Sequence, residues 1–431
     1  MTNHEPPASD LRPPTSDLPP PTSGLGRNFV FAAASSGSAV LLLAVLLLAA
    51  RRLGVGAFGQ FSFAVALATI GESLMDWGLH QVAIRSVARE HGAAGAVFRN
   101  SIALKVVPSS AMVVVLTLIG AWVSSETDVR VLCALLAVSA VMRSYLLTIR
   151  GVLQGLERFS WDTAVVLLDR LLLLGFSAIV LFSGGRLVAL GWAFVGARTI
   201  ALAVSFAIAR HHIGSLAPTF DRELWQDLGQ RALPIGAFLV LLNLYCYVDA
   251  VMLMAMRGDV ETGLYSAAYR IYEGAIYGAA VLSAVLTPRL SSEFVRDRTR
   301  FASLARKGLL ASIGIAAVLG LAITAIATPV LVWLFHDPSF AMAARALQIL
   351  SAGLLVTFPI WILQAIAIAT STEGVLLRAT AIGVIVNVVA NLFLIPAAGR
   401  DGAALATVIG ETINVLLLLR GLGWALRGNA A

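Results

Sequence analysis

Residues 244–291 read LYCYVDAVMLMAMRGDVETGLYSAAYRIYEGAIYGAAVLSAVLTPRLS, and their pattern decides the fold. They read as parts of two long apolar helices joined by a short polar turn at 257–262, the first beginning near 232 and the second running from 263. Each helix carries something that hydrocarbon disfavours: Asp249 on the first, Arg270 and Glu273 on the second. A charge at bilayer depth is costly and marks an ion path, a substrate path or a neutralising partner. Asp249 and Arg270 are equidistant from the middle of the turn, and helices rise equally per residue, so the two belong at one depth. Either they neutralise each other or both serve a polar cavity.

The rest of the chain repeats this design. Of 431 residues, 58% are hydrophobic and 13% charged, and the mean hydropathy is +0.86. Soluble domains do not have that composition, and the repeated apolar runs make this an all-α polytopic membrane protein. Twelve transmembrane helices are expected, at 29–50, 58–80, 101–123, 129–149, 163–183, 187–209, 232–256, 263–287, 308–335, 342–371, 375–396 and 402–426. Lys and Arg number fifteen in the connections after even-numbered helices and seven in the others, flanking residues included. The positive-inside bias then puts both termini of this cell-membrane protein in the cytoplasm. It also accounts for the net charge of +7 without any nucleic acid. Cys133 and Cys246 fall inside apolar helices, so neither a disulfide framework nor a cysteine metal site is indicated.

Residues 1–28 form a Pro-rich tail, with seven prolines by position 26, and are expected to be disordered on the cytoplasmic side. The apolar run after it is too long for a signal peptide. An N-terminal six-helix lobe is expected at 29–210, a cytoplasmic linker at 211–231, a C-terminal six-helix lobe at 232–426, and a short tail at 427–431. The basic loops 210–231 and 288–307 are expected to meet anionic lipid headgroups, with 221–231 as an amphipathic helix. The halves look duplicated. GQFS at 59–62 matches GLYS at 263–266, an offset of 204, and Gly185-Arg186 matches Gly399-Arg400, an offset of 214. An even repeat keeps both lobes in one orientation, with a central cavity between them.

RRLGVGAFGQFSFAVALATIGESLMDWGLHQVAIRSVARE at 51–90, QGLERF at 154–159 and LPIGAFLVLLNLYCYVDAVMLMAMRGDVETGLYSAAYRIYE at 233–273 resemble bacterial polysaccharide flippases. Those proteins belong to the multidrug/oligosaccharidyl-lipid/polysaccharide (MOP) exporter superfamily. The resemblance implies a V-shaped, two-lobed transporter working by alternating access on an undecaprenyl-pyrophosphate-linked oligosaccharide. It also implies a cavity lined by the first, second, seventh and eighth helices, and other polysaccharide-assembly proteins as partners. In some relatives an acidic residue on the seventh helix, an i,i+4 Asn/Asp pair on the eleventh and a Thr on the twelfth hold sodium. Asp249, Asn387, Asn391 and Thr407 reproduce that set here, with Asn391 where those relatives have Asp. The coupling ion expected is Na+ or H+, and no other cofactor is expected.

The remaining charges supply the substrate contacts. Thr69, Glu72, Asp76 and His80 recur every three or four residues on the second helix as one polar stripe, suited to hydrating a sugar path or accepting protons. Arg270 is the first choice for the phosphate, with Glu273 on its face and Tyr265, Tyr269 and Tyr272 beside it for sugar rings. Arg143, Asp169, Arg170 and Arg198 should share one depth across the fourth to sixth helices, either as a second phosphate site or as an internal ion-pair network.

Three other functions compete. A multidrug antiporter would want an acidic, aromatic cavity without a phosphate-binding Arg. A lipid II flippase would carry more arginines on the first helix, which here offers only Arg27. A polysaccharide polymerase would need a large extracytoplasmic loop, and the connections are short; no enzyme is expected. No nucleotide-binding signature is present.

Overall fold

The computed structural model describes residues 37–427, so the Pro-rich tail, Arg27, the start of the first expected helix and residues 428–431 lie outside the described residues. Those described form helices and turns, without a strand. In chain order they are α1 (Ala39–Asp76), α2 (Leu79–Arg89), α3 (Ala94–Val123), α4 (Thr127–Gly155), α5 (Phe159–Phe182), α6 (Leu187–Ile213), α7 (Arg222–Arg257), α8 (Asp259–Arg296), α9 (Arg298–Ala325), α10 (Ala327–Phe335), α11 (Ala344–Ala369) and α12 (Glu373–Arg427). Among the described residues, ten helical stretches are long and apolar enough to span a membrane.

Two of these double back. Inside α1, Gly54 has φ 75° and ψ 171°, and inside α12, Gly399 has φ 56° and ψ −131°, both closed to side chains other than glycine's. Leu42 and Thr69 lie on either side of Gly54 yet line one cavity. Asn391 and Thr407, on either side of Gly399, hydrogen-bond one carboxylate. A straight helix would hold the second pair about 24 Å apart. Each element is therefore a hairpin of two spans, which restores the twelve expected crossings.

The repeat is written into the backbone. Gly258, between α7 and α8, has φ 81° and ψ −169°, the conformation of Gly54 at the same offset of 204 as the GQFS and GLYS segments. The two segments pack on each other. A Cβ on Gly59 would lie 1.9 Å from the Asp259 carbonyl oxygen, and one on Gly263 would lie 2.1 Å from that of Val55. Gln60 donates to Asp259 at 3.2 Å across this contact, and Phe58 packs on Phe335 and Phe340 beside it. A second close approach joins Gly78 to Gly236, where added Cβ atoms would meet backbone at 2.7 Å and 2.4 Å. The bundles thus touch at two levels.

Three expectations change. The ninth helix, expected as 308–335, breaks at Ile326, because Pro329 can neither donate to nor clear the carbonyl one turn back; the result is α9 and α10. Residues 221–231 make no separate amphipathic helix: Asp221 caps α7, accepting from the amides of Glu223 and Leu224, and the segment runs on into the span. The loop at 288–307 is likewise mostly helix, interrupted where Asp297 caps α9.

Candidate functional site

A cavity of about 330 Å³ lies between the bundles. Thr69, Glu72, Asp76 and His80 all line it, so the periodic stripe keeps one face even where Trp77 and Gly78 break the helix. Arg143 and Leu147 of α4 complete the N-terminal wall, and Leu239, Asn243 and Tyr247 of α7 form the opposite one. The wall from α4 was not expected from the resemblance, and no residue of α8 lines this cavity.

The charges on this wall are tied down. Glu72 pairs with Arg143 at 2.9 Å. Asp76 is no free acceptor, as the stripe alone suggested. Lys105 of α3, fully buried, donates to it at 2.6 Å and to Ser144 O and Thr148 Oγ1 at 2.9 Å and 2.7 Å. Such a cation neutralises the buried carboxylate, and here the sequence reading passed over its source. A lone lysine inside an apolar helix was the available signal. Behind this wall Arg198 donates to Ser139 at 3.0 Å and lies 3.6 Å from Asp169; it does not line the main cavity but borders a smaller one beside it, with Thr69, Glu72 and Arg143. Arg143, Asp169, Arg170 and Arg198 form one cluster, of which Arg143 lines the cavity.

In the C-terminal bundle, Arg270 does not meet Asp249. It pairs with Glu273 one turn along α8, at 2.6 Å, and its guanidinium lies 5.9 Å over the ring of Tyr247, which lines the cavity. Tyr269 is only 8% exposed and stacks between Tyr265 and Tyr272 at 5.8 Å and 5.7 Å, so it is no open platform for sugar rings. The hydroxyls of Tyr265 and Tyr272 reach into the bundle.

There they meet two carboxylates. Asp249, 1% exposed, accepts from Asn391 Nδ2, Thr407 Oγ1 and Tyr265 OH, each at 2.6 Å. Asn391 also donates to Asn387 Oδ1 at 3.2 Å. The structure therefore brings Asp249, Asn387, Asn391 and Thr407 together and adds Tyr265, which the sequence reading missed as a partner. One turn beyond Thr407, buried Glu411 accepts from Tyr272 OH at 2.8 Å and from Thr357 Oγ1. Among the described residues neither carboxylate has a basic side chain in ion-pair contact. Glu411 too was open to discovery as a carboxylate within an apolar span.

A family model described as "Polysaccharide biosynthesis protein" matches residues 25–294, well over half of the chain. The chain belongs to the polysaccharide biosynthesis protein family. No curated protein sequence is similar enough to match. Three solved structures share this fold. The inward closed conformation of the lipid II flippase MurJ has TM-score 0.73 at 16% identity, over 92% of this chain and 87% of that one. An inward-facing multidrug resistance MATE family transporter of the MOP superfamily has TM-score 0.70 at 16% identity, over 94% and 100%. A MOP superfamily transporter from Pyrococcus furiosus Vc1 has TM-score 0.62 at 15% identity, over 93% and 94%. At such identities the likeness concerns the fold. Fold and family together make this polysaccharide biosynthesis family member a multi-pass membrane protein with the fold those transporters share.

Proposed function

We propose that the protein flips an undecaprenyl-pyrophosphate-linked oligosaccharide from the inner to the outer leaflet of the cytoplasmic membrane for surface polysaccharide assembly. The observation that carries this reading is the cavity itself. It is polar, contains Arg143 beside Glu72, and sits at the junction of two bundles in a member of a polysaccharide family. An arginine there can fork onto a phosphate oxygen pair. Arg270, next to Tyr247, is placed to reach the same space once its link to Glu273 opens. For an antiporter of small cations, the half-buried arginine at this wall would be a liability.

The test is complementation of a flippase-deficient strain whose repeat unit the protein accepts, at matched expression. Wild type should restore surface polysaccharide. Arg143→Ala and Arg270→Ala should each lower it by about tenfold or more, the effect of losing one charge-assisted fork of roughly 1.5–3 kcal/mol. Full activity of both variants would remove phosphate recognition from this cavity.

The driving ion is proposed to bind between α7 and α12. Asp249, Asn387, Asn391 and Thr407 would hold a monovalent cation there, a hard ion suited to oxygen ligands with one carboxylate. The fit is supported by Asn391 Oδ1, which is buried without a hydrogen-bond partner and becomes a ligand by rotation of the amide. Bound sodium would supply the gradient's free energy to the C-terminal bundle. In proteoliposomes, stimulation of transport by an imposed sodium gradient should vanish in Asp249→Asn while a residual sodium-independent rate persists. Unchanged stimulation in that variant would place the coupling ion elsewhere.

A further inference from the structure

The layer where α1, α4, α5 and α6 meet is not neutral. Arg143 takes Glu72 at 2.9 Å and Arg150 takes Asp162 at 2.7 Å. Asp169 is left to two arginines, 3.9 Å from Arg170 and 3.6 Å from Arg198, both beyond a good hydrogen bond. Four guanidinium groups thus share three carboxylates. Arg198 finds the Ser139 carbonyl and hydroxyl oxygens at 3.0 Å and 3.1 Å. Arg170 finds nothing equivalent. Its side chain is 9% exposed, and both Nε and Nη1 are buried without a hydrogen-bond partner.

Those groups border a crevice of about 20 Å³ between α4 and α5, lined by Arg143, Arg150, Asp169 and Arg170 with Leu and Val walls. A polar site needs roughly 10–15 Å³ of this kind of space for one water, so the crevice suits one atom-sized species and excludes a whole phosphate group. A water would satisfy the N–H groups but leave the excess positive charge. A monoatomic anion answers both needs, since an uncompensated buried charge is among the most costly features a bundle can hold.

We propose that this crevice binds one small inorganic anion, chloride by abundance, against Arg170 with Arg143 and Arg150 around it, as a resident part of the N-terminal bundle. The site is distinct from the cation cluster in the other bundle and independent of the identity of the transported lipid.

The experiment is thermal unfolding of the full-length protein in detergent, with sodium chloride exchanged for sodium gluconate at constant sodium and ionic strength. The wild-type midpoint should rise steadily with the logarithm of chloride concentration, the linkage expected of a ligand bound only by the folded state. Arg170→Leu should lose that dependence. Should the variant not fold, the wild type suffices: crystals grown in bromide should show an anomalous peak in contact with the Arg170 guanidinium. A chloride slope unchanged in Arg170→Leu, or no bromide at that position, would overturn the proposal. So would inorganic pyrophosphate raising the midpoint through Arg170 as chloride does, because the crevice cannot enclose that ion.

Discussion

Replacing Lys105 with methionine should destabilise the protein by about 3–5 kcal/mol, the loss typical of removing one partner from a buried ion pair. Lys105 is wholly buried, and its three N–H groups have three oxygen partners in Asp76, Ser144 and Thr148. Its (CH₂)₄ stem packs as an apolar chain, so Lys105→Met preserves shape and removes only the ammonium. Asp76, 5% exposed, would then be left with its Lys105 ion pair gone. The measurement is the unfolding midpoint and the folded yield in detergent. The double variant Lys105→Met with Asp76→Leu should recover most of the loss, since a hydrophobic replacement of both partners is often neutral or better. An unchanged midpoint in the single variant would mean that water from the neighbouring cavity already solvates Asp76.

Gly59→Val should abolish the contact that joins the bundles at the GQFS and GLYS segments, and with it transport. The added Cβ would stand 1.9 Å from the Asp259 carbonyl oxygen and 2.8 Å from the Gly263 nitrogen, where a carbon–oxygen contact of about 3.3 Å is the near limit. Both obstacles are backbone, so α1 and α8 must part by more than an ångström. Overpacking costs about 1–3 kcal/mol even where side chains can yield. Three kilocalories correspond to roughly a hundredfold change in the population of the joined arrangement. The loss is readable as cross-linking: cysteines replacing Gln60 and Asp259, whose side chains meet at 3.2 Å, should form a disulfide readily in the parent and at least tenfold less in the valine variant. Gly56→Ala provides the contrast, because the Cβ there meets side chains alone, the flexible Asp259 carboxylate at 3.2 Å and Val260 Cγ2 at 4.0 Å. Equal cross-linking in the parent and the valine variant would show that this approach is not needed to bring the bundles together.

Both predictions concern residues that the sequence treated differently. The Gly59 and Gly263 segments were legible as a repeat, because duplication leaves the same residues at one offset, yet their mutual packing was not. Lys105 was visible as a charge within an apolar span, but its partner lay 29 positions away on another helix. Asp249, Asn387, Asn391 and Thr407 were gathered correctly because the resemblance supplied the pattern and equal distance from Gly399 put two of them level. Tyr265 and Glu411 were missed, since nothing in their spacing tells which way around its axis a helix turns its face.

The amino-acid sequence by itself determined most of the spans, the repeat, the family resemblance and the relative level of the charges placed by their distance from a turn. Those follow from quantities that run along the chain: apolar length against bilayer thickness, and a constant rise per residue. Only the tertiary structure decided who meets whom: Asp249 with Tyr265 and Asn391 and not Arg270, Asp76 with Lys105, Arg270 with Glu273. Depth is one coordinate of a residue in a helix bundle. The other two, rotation about the axis and the neighbour against which it is turned, are set by side chains of several helices packing at once, which spacing within a single helix cannot encode.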